Sequence, residues 1–372
     1  MASEIKTKAE VLDTRPKSEL KVVETRGNAY ERGFHYGEKT RALVDRFLSQ
    51  LYASYNELYG MSKDQLLIEA RKYIPFIESY SPEVMNEIKG IAEGVGKNVE
   101  EIAMAVAYYD ISEARSQARG GCTAFAATGQ ATVGRQTYIG QSWDDCLEFW
   151  WDGEINIVIK SECNSGMKVL AYTIPAIPAG AGLNSEGIAL CWNSMHCEQR
   201  EVGVPTYVVI REVLNQRTIG DALGAIIRAK RAESFNFLIA DSNGEIYNIE
   251  ATPNDLDIMY AEDYFVHANH FISSKIKVKE DKNLELMPDT IVRHNRMNKL
   301  LKENLGSIDL KILMAFLRDH VNFPWSICKH ADKNRRIPFD LTYSAWVMVP
   351  ATREMWITHG IPCESQFSKY MI

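Results

Sequence analysis

The run Gly120-Gly121-Cys122-Thr123 holds the residues of this sequence best suited to chemistry. A glycine before a cysteine lets the backbone adopt a strained turn that a side chain would forbid. Such a turn would let the Cys122 thiol attack the carbonyl carbon of Gly121. Hydrolysis of that thioester would leave Cys122 as a new N-terminus, with a thiol nucleophile and an α-amine able to act as its base. The alternative is a small buried apolar residue, the usual role of a free cysteine.

The composition indicates a globular protein with no nucleic-acid partner and no membrane span. The chain has 372 residues, of which 46% are hydrophobic and 24% charged, enough for one large domain or two ordinary ones. Its net charge of −7 argues against a nucleic-acid binder, which would carry a basic patch. No apolar stretch reaches the roughly 18 residues of a membrane helix, and residues 1–6 lack the apolar core of a signal peptide.

The cysteine pattern indicates a reducing compartment. The seven cysteines are odd in number and scattered, and their spacings match neither zinc-ligand pairs nor a disulfide framework. We therefore predict reduced thiols and a cytoplasmic location.

The first third of the chain is predicted to be helical after one short strand at 20–24. Apolar residues recur with helical spacing over 29–59, and further helices are predicted over 63–116. Ser81 followed by Pro82 is typical of a helix N-terminus. Gly33 and Gly37 lie four apart on one helix face, which predicts close packing against a neighbouring helix.

After Cys122 the sequence changes to short runs rich in Val, Ile, Tyr and Thr, separated by turns. A hairpin turn is predicted at 242–244. The predicted helices of this part are 206–215, 219–232, 288–305 and 309–319, and the last predicted strands lie within 341–349 and 354–357. Two stacked sheets covered by helices, an α+β layered body, fit this order.

Several motifs, in a shared order from about residue 20 to 357, resemble those of a known family. They are Gly121-Cys122-Thr123, Gly140-Gln141-Ser142-Trp143-Asp144, Gly182-Leu183-Asn184-Ser185-Glu186-Gly187, Trp192-Asn193-Ser194-Met195-His196, Val266-His267-Ala268-Asn269-His270, Arg293-His294-Asn295-Arg296-Met297 and Phe323-Pro324-Trp325-Ser326-Ile327-Cys328. The chain resembles the acyl-coenzyme A:6-aminopenicillanic-acid acyltransferase family, the C45 peptidase-like branch of the N-terminal nucleophile (Ntn) hydrolases.

The resemblance implies an αββα four-layer sandwich with a helical N-terminal segment. It also implies a zymogen that cleaves itself between Gly121 and Cys122. Residues 1–121 would form an α fragment and 122–372 a β fragment with the catalytic core, and the two would stay together as a heterodimer in one integrated domain.

The resemblance also implies roles for individual residues. Cys122 would be the nucleophile, and a terminal α-amine titrates near pH 8, low enough to take its proton. Asp144 would hold the freed amine against the thiol. Asn269 would donate its side-chain amide to the developing oxyanion, with Asn193 as a second donor. Arg335 would favour the thiolate.

Other candidates are open to a structural interpretation. The late arginine could equally be Arg336, since the match is loose by one residue. Thr252 falls where one family member has a serine near the active site, but a Thr before Pro could also belong to a turn. Phe149 and Trp150 could wall an acyl pocket or pack in the core. His267, His270 and His294 suggest a metal, but without nearby acidic or thiolate groups we interpret them as structural.

Together these features predict an Ntn-type amidase or acyltransferase without cofactor or metal. It would act through a Cys122 thioester on a small N-acyl amine, amide or thioester, with water, an amine or an acyl-CoA partner in the second step. The site of the β-alanyl amine hydrolases resembles Gly120-Gly121-Cys122, which favours a small N-acyl amine. The alternative is an uncleaved binding or scaffold protein of the same fold.

Overall fold

Two β-sheets form the centre of the protein. The computed structural model describes residues 19–113, 121–146, 155–278, 283–332 and 340–372. The first sheet has eight strands in the order β1-β4-β5-β6-β7-β8-β9-β10, and the second has six in the order β11-β2-β3-β12-β13-β14. The β1–β4 pair is parallel, while the pairings of the second sheet are all antiparallel.

The strands and helices have the following bounds. The strands are β1 Lys21–Gly27, β2 Gly121–Ala127, β3 Tyr138–Cys146, β4 Ile157–Cys163, β5 Lys168–Thr173, β6 Ala181–Asn184, β7 Ile188–Ser194, β8 Phe235–Asp241, β9 Ile246–Ala251, β10 Leu256–Tyr260, β11 Tyr264–His267, β12 Asp340–Val349, β13 Glu354–Thr358 and β14 Phe367–Met371. The helices are α1 Ala29–Tyr59, α2 Lys63–Arg71, α3 Ile74–Tyr80, α4 Pro82–Val95, α5 Val99–Val106, α6 Tyr108–Glu113, α7 Thr206–Leu214, α8 Ile219–Arg228, α9 Asn283–Leu286, α10 Asp289–Glu303 and α11 Leu310–Phe316.

The layers follow the order helix, sheet, sheet, helix. Strands β2 and β3 of the second sheet pack against β7 and β8 of the first, while α1 and α7 cover the outer face of the first sheet. Helices α10 and α11 cover the outer face of the second sheet. The predicted α+β αββα sandwich with a helical N-terminal segment is confirmed. No helix within the described ranges combines the length and the apolar character needed to cross a bilayer.

Helices α1 and α4 approach each other through glycines, as predicted from Gly33 and Gly37. A Cβ added to Gly33 would overlap the carbonyl oxygen of Glu87, and one added to Gly37 would lie 2.5 Å from that of Ile91. Gly90 and Gly94 of α4 meet the α1 backbone in the same way. The two backbones are therefore in direct contact, which fixes the relative position of α1 and α4 in the helical layer on the outer face of the first sheet.

The element boundaries differ from the predictions in places where local signals are short. The several helices predicted over 63–116 are α2 to α6 as far as Glu113, and Ser81 begins α4 as predicted, while residues 114–116 lie outside the described residues. Strands β10, β11 and β14 were not predicted. They have only four or five residues each, too few for alternation to be distinctive.

Replacing Gly33 by alanine is expected to destabilise the protein by about 1–3 kcal/mol, because the new methyl group would push α1 away from α4. Urea unfolding at pH 7 measures the change. Gly224→Ala in α8 is the matched control, because its nearest neighbour, Arg228 Nη1, lies 3.9 Å away. Alanine there should be neutral or stabilise by up to about 1 kcal/mol. Equal effects of the two changes would contradict the close α1–α4 packing.

Candidate active site

Cys122 lies in β2 between the two sheets and is almost inaccessible, with 1% of its surface exposed. Its strand pairs with β3 so that Gly121 is opposite Asp144 and Cys122 opposite Trp143. The two predicted positions Cys122 and Asp144 are thus brought together by a regular antiparallel ladder.

Both backbone groups of Cys122 are held by side chains from other elements. Its N–H donates to Asn269 Oδ1 at 2.9 Å, and its carbonyl oxygen accepts from Arg293 Nη1 at 2.8 Å. Arg293 Nη2 also donates to Asn269 Oδ1 at 2.9 Å. Two donors on one oxygen fix the orientation of the Asn269 amide, whose Nδ2 donates to the carbonyl oxygen of Ser194 at 3.0 Å. In the intact chain the oxygen of Asn269 faces Cys122, while the expected oxyanion donor Nδ2 faces β7.

A buried network of two carboxylates and two cations surrounds this backbone. Arg293 Nε donates to Asp289 Oδ2 at 3.1 Å, and Lys329 Nζ lies 3.2 Å from the same oxygen. Lys329 Nζ also lies 3.7 Å from Asp144 Oδ2, and all four side chains are buried. Asp144 Oδ1 accepts from Thr342 Oγ1 at 2.7 Å. The charges therefore balance inside the protein, as buried charges must.

The bend of β12 places Thr342 against Asp144. The register between β3 and β12 shifts between Thr342 and Ser344, so one extra residue is inserted at Tyr343. A β-bulge of this kind re-aims a side chain and is frequent next to active sites. Thr342 also receives the backbone N–H of Lys329 at 2.8 Å. One hydroxyl thus ties Asp144 to the segment that carries Lys329.

Burial and nearby charges shift the pKa of the Cys122 thiol and that of the Arg293 guanidinium. Burial raises the pKa of the Cys122 thiol well above its usual value, Asp144 adds to this, and Arg293 opposes it. Burial alone would lower the pKa of Arg293, but Asp289 and Asp144 outweigh it and raise that pKa. In the intact chain the site therefore holds a neutral thiol beside a permanent cation.

Gly121 has no room for a side chain. A Cβ at this position would lie 2.9 Å from Lys329 Nζ, 3.0 Å from Asp144 Oδ2 and 3.2 Å from Arg293 Nη2. The ends of both cations and of one carboxylate therefore converge on the residue before Cys122. Only glycine lets these groups reach the backbone at this point.

Asn193 in β7 faces the second sheet. It pairs with Asn236 of β8, which pairs with Glu250 of β9, and side chains directly opposite on neighbouring strands share a face. Glu250 accepts from His267 of β11 at 2.8 Å across the sheets, which identifies that face. Asn193 Oδ1 accepts from Asn236, while Nδ2 is buried without a hydrogen-bond partner within the described part of the chain. Among the described residues, its amide donor is therefore not used by another group.

The remaining predicted residues are not brought to Cys122 by the described contacts. Thr252 is buried in the β9–β10 turn, where its hydroxyl accepts the backbone N–H groups of Asn254 and Asp255. Phe149, Trp150, Arg335 and Arg336 lie outside the described residues. A cleft of about 430 Å³ near α3 and α8 contains none of the predicted site residues.

The three histidines first considered for a metal have other partners, and that of His294 is Asn298, whose Nδ2 lies 3.2 Å from His294 Nε2. His267 lies between Glu250 Oε1 and the carbonyl oxygen of Ala268, 2.8 Å from each. His270 Nδ1 lies 3.0 Å from Thr290 Oγ1, and that oxygen accepts the backbone N–H of Asn269 at 2.7 Å. His270 therefore supports the loop that carries Asn269.

Sequence reasoning missed Arg293, Asp289 and Lys329 as site residues. Asp289 and Arg293 have the i, i+4 spacing of an ion pair on a helix, and they form one on α10. Lys329 follows the apolar pair Ile327-Cys328. A lysine that is buried with such neighbours needs a partner of opposite charge. These spacings are the signals that could have identified them.

A protein-family comparison decides the assignment. The model of the acyl-coenzyme A:6-aminopenicillanic acid acyl-transferase family matches residues 135–362, which is more than half of the chain. The chain belongs to this family. The family takes its name from an enzyme that transfers acyl groups.

The chain is also similar to one named protein in sequence and to two solved structures. The chain is 26% identical to the 40 kDa form of acyl-coenzyme A:6-aminopenicillanic-acid acyltransferase from Emericella nidulans, over 82% of this chain and 84% of that protein. A solved structure of a conjugated bile acid hydrolase variant from Clostridium perfringens has a TM-score of 0.43 at 12% identity, covering 68% of this chain and 97% of that one. Penicillin V acylase from Agrobacterium tumefaciens has a TM-score of 0.40 at 10% identity, covering 64% and 83%.

Replacing Lys329 by methionine is expected to destabilise the protein by about 3–5 kcal/mol, because two carboxylates would stay buried with too little positive charge. Urea unfolding at pH 7 measures this. Lys89→Met is the matched control, because the Lys89–Glu78 ion pair is exposed to solvent and is worth at most about 1 kcal/mol. A Lys329→Met protein as stable as the control would show that the charges are not coupled.

Stability is expected to fall as the pH drops from about 6.5, partly because of His270. Burial, followed by the charges of His267, His294 and Arg293, lowers the pKa of His270 from 6.5 to about 3. The unfolded chain takes up a proton near pH 6.5 that the folded chain refuses until about pH 3, so stability present at neutral pH is lost on acidification.

The His270→Gln variant should therefore lose less stability than the wild type between pH 7 and 4.5 in urea unfolding. His35→Gln, at an exposed position on α1, is the matched control variant. Identical slopes for the wild type and His270→Gln would contradict the neutral state of the half-buried His270.

Proposed function

We propose that this protein is a self-processing N-terminal-cysteine amidohydrolase or acyltransferase. The observation that carries the proposal is the pair of hydrogen bonds to the backbone of Cys122. Its N–H donates to Asn269 Oδ1, and its carbonyl oxygen accepts from Arg293. Charged groups converge on Gly121 at the other side of the same peptide bond. A purely structural cysteine needs none of these contacts.

Maturation would proceed in two balanced steps. First, Cys122 Sγ attacks the carbonyl carbon of Gly121, the C–N bond breaks, and the thiol proton passes to the leaving nitrogen, giving a thioester and a free amine. Water then hydrolyses the thioester to a Gly121 carboxylate and the Cys122 thiol. Lys329 and Arg293, both close to Gly121, are the cations able to stabilise the oxyanion of each step.

The mature site would use groups already in place. Asn269 Oδ1, which accepts the Cys122 N–H in the intact chain, would accept from the new α-amine, and Asp144 would balance its charge. That amine takes the thiol proton during attack on a substrate. In the uncut chain, burial raises the pKa of the same thiol, which keeps the thiol protonated until a base is present.

The fragments 1–121 and 122–372 are proposed to remain associated as a heterodimer. Strand β1 of the first fragment pairs with β4 of the second along seven residues. Buried polar contacts also join them, including Arg211 Nε to Glu87 Oε2 at 2.9 Å and Tyr36 Oη to the carbonyl oxygens of Ile174 and Ile177. Breaking these contacts would expose much of the core.

The substrate is proposed to be a small N-acyl amine, amide or thioester. Cys122 would form a thioester with the acyl group, and water or an amine would then remove it. The name of the relative from Emericella nidulans points to acyl-CoA and an amine acceptor, while Gly120-Gly121-Cys122 favours a small N-acyl amine. The cytoplasmic location predicted from the cysteine pattern stays a prediction.

The first test is the intact mass of freshly purified protein under denaturing, reducing conditions. Two fragments of 121 and 251 residues are expected, which together make the 372 of the chain. Cys122→Ala should give a single full-length mass, since no thiol can attack Gly121. Cys191→Ala is the control, because Cys191 is equally buried but lies in β7 of the other sheet.

A single full-length mass for the wild type would remove the α-amine from the mechanism. It would favour the alternative, an uncleaved binding or scaffold protein. Cleavage in Cys122→Ala as well would point to a contaminating protease.

Asn193→Ala is expected to lower kcat by about 10²–10³-fold, the usual cost of losing one oxyanion donor. Kinetics on an aryl amide or acyl-amine hydrolysed by the wild type measure this. Asn248→Ala is the matched control, because its amide is also buried without a partner among the described residues but lies two strands farther along the sheet. If both variants keep the wild-type kcat, Asn193 is not an oxyanion donor.

A further inference from the structure

Four potential metal ligands converge on the outer side of the Lys329 segment. They are His320, Cys328, His330 and Cys363, and their ligand atoms all lie within 4.8 Å of one another. His330 Nε2 is 3.1 Å from His320 Nε2, 3.3 Å from Cys363 Sγ and 3.8 Å from Cys328 Sγ. None of them belongs to the site around Cys122.

We propose that His320, Cys328, His330 and Cys363 form a tetrahedral Cys₂His₂ site for Zn²⁺. Zinc binds thiolate sulfur at about 2.3 Å and imidazole nitrogen at about 2.0–2.1 Å, so the ligand atoms of a tetrahedral site stand about 3.3–3.8 Å apart. The three distances to His330 Nε2 already fall close to this range. Two thiolates neutralise the charge of the ion, and four protein ligands make the site structural, since no position stays open for a substrate.

The surrounding backbone holds the ligands in place. Cys328 N–H donates to the carbonyl oxygen of Asp319, next to His320, and His330 N–H donates to that of Pro324. Arg318 donates to the carbonyl oxygens of Pro362 and Ser365 on both sides of Cys363. The loop after β13 is therefore fixed against the loop after α11.

The second coordination shell is also suitable. His330 Nδ1 lies 4.0 Å from Glu364 Oε1, so the atom that faces the cluster is Nε2. A carboxylate near the other ring nitrogen is the usual partner of a metal-bound histidine. The ring of Phe323 packs within 5.2 Å of the His330 ring and 6.0 Å of the His320 ring, which covers part of the cluster with apolar surface.

The site would act on the segment that carries Lys329. Cys328 and His330 are the neighbours of Lys329 on either side, and Lys329 Nζ reaches Asp289 and Asp144. A metal bound to both neighbours would restrain Lys329 from outside while the carboxylates hold it from inside. The spacing His-x₇-Cys-x-His with a distant fourth ligand differs from common zinc motifs, so the sequence showed no sign of it.

The test is the zinc content of the full chain, purified without chelator and with any polyhistidine tag removed. One zinc per chain is expected by elemental mass spectrometry, and Co²⁺ exchanged into the site should give thiolate-to-cobalt absorption. His320→Ala and Cys363→Ser, both at exposed positions, should reduce the stoichiometry toward zero with the fold intact by circular dichroism. Cys163→Ser and His35→Ala, away from the cluster, should keep it at one.

The proposal is overturned if the wild type, supplied with Zn²⁺ during expression and reducing purification, retains no stoichiometric metal. It is also overturned if peptide mapping finds Cys328 and Cys363 joined in a disulfide. A Co²⁺ spectrum that persists in Cys363→Ser would likewise contradict it. Metal content needs no activity assay, so this result is independent of the proposed self-cleavage.

Discussion

The buried balance between Asp144, Asp289, Arg293 and Lys329 is the interaction on which the centre of the molecule depends. Removing any one of these four buried groups would be strongly destabilising, because it would leave an uncompensated charge away from solvent. The network therefore fixes the relative positions of β3, α10 and the segment before β12. Since Arg293 also binds the Cys122 carbonyl oxygen and the Asn269 amide, the same charges fix the backbone at the proposed cleavage point.

The two sheets contribute different parts to the site. The second sheet supplies Cys122 and Asp144 from adjacent strands, with Asn269 just beyond the end of β11. The first sheet supplies Asn193 and, one residue later, the Ser194 carbonyl oxygen that orients Asn269. The proposed function rests on this meeting of the sheets, because a thiol, a fixed cation and amide groups in a buried space are groups that acyl transfer can use.

Features that depend on residues close together in the sequence were largely predicted, whereas most contacts between residues far apart in the sequence were not. The long helix α1, the Gly33–Gly37 face and the layered fold follow from periodicity and from motifs with local meaning. Cys122, Asp144 and Asn269 were predicted and lie in contact or in adjacent strands. The network itself was not predicted, because Arg293, Lys329 and Asp144 are far apart in sequence and meet only through the sheet register and the bulge in β12. The proposed zinc site was missed for the same reason, since Cys363 reaches it from the far side of β13.

The parallel pairing of β1 with β4 has a consequence for refolding. Parallel neighbours need a long crossover connection, and here that connection runs from α1 through β3 and contains the bond between Gly121 and Cys122. Cutting this bond would turn an intramolecular strand pairing into an encounter between two separate molecules. The cut protein would then recover its fold at a rate that falls on dilution, while the uncut precursor would refold independently of concentration. After maturation, the unfolded protein would therefore refold less readily than the uncut precursor.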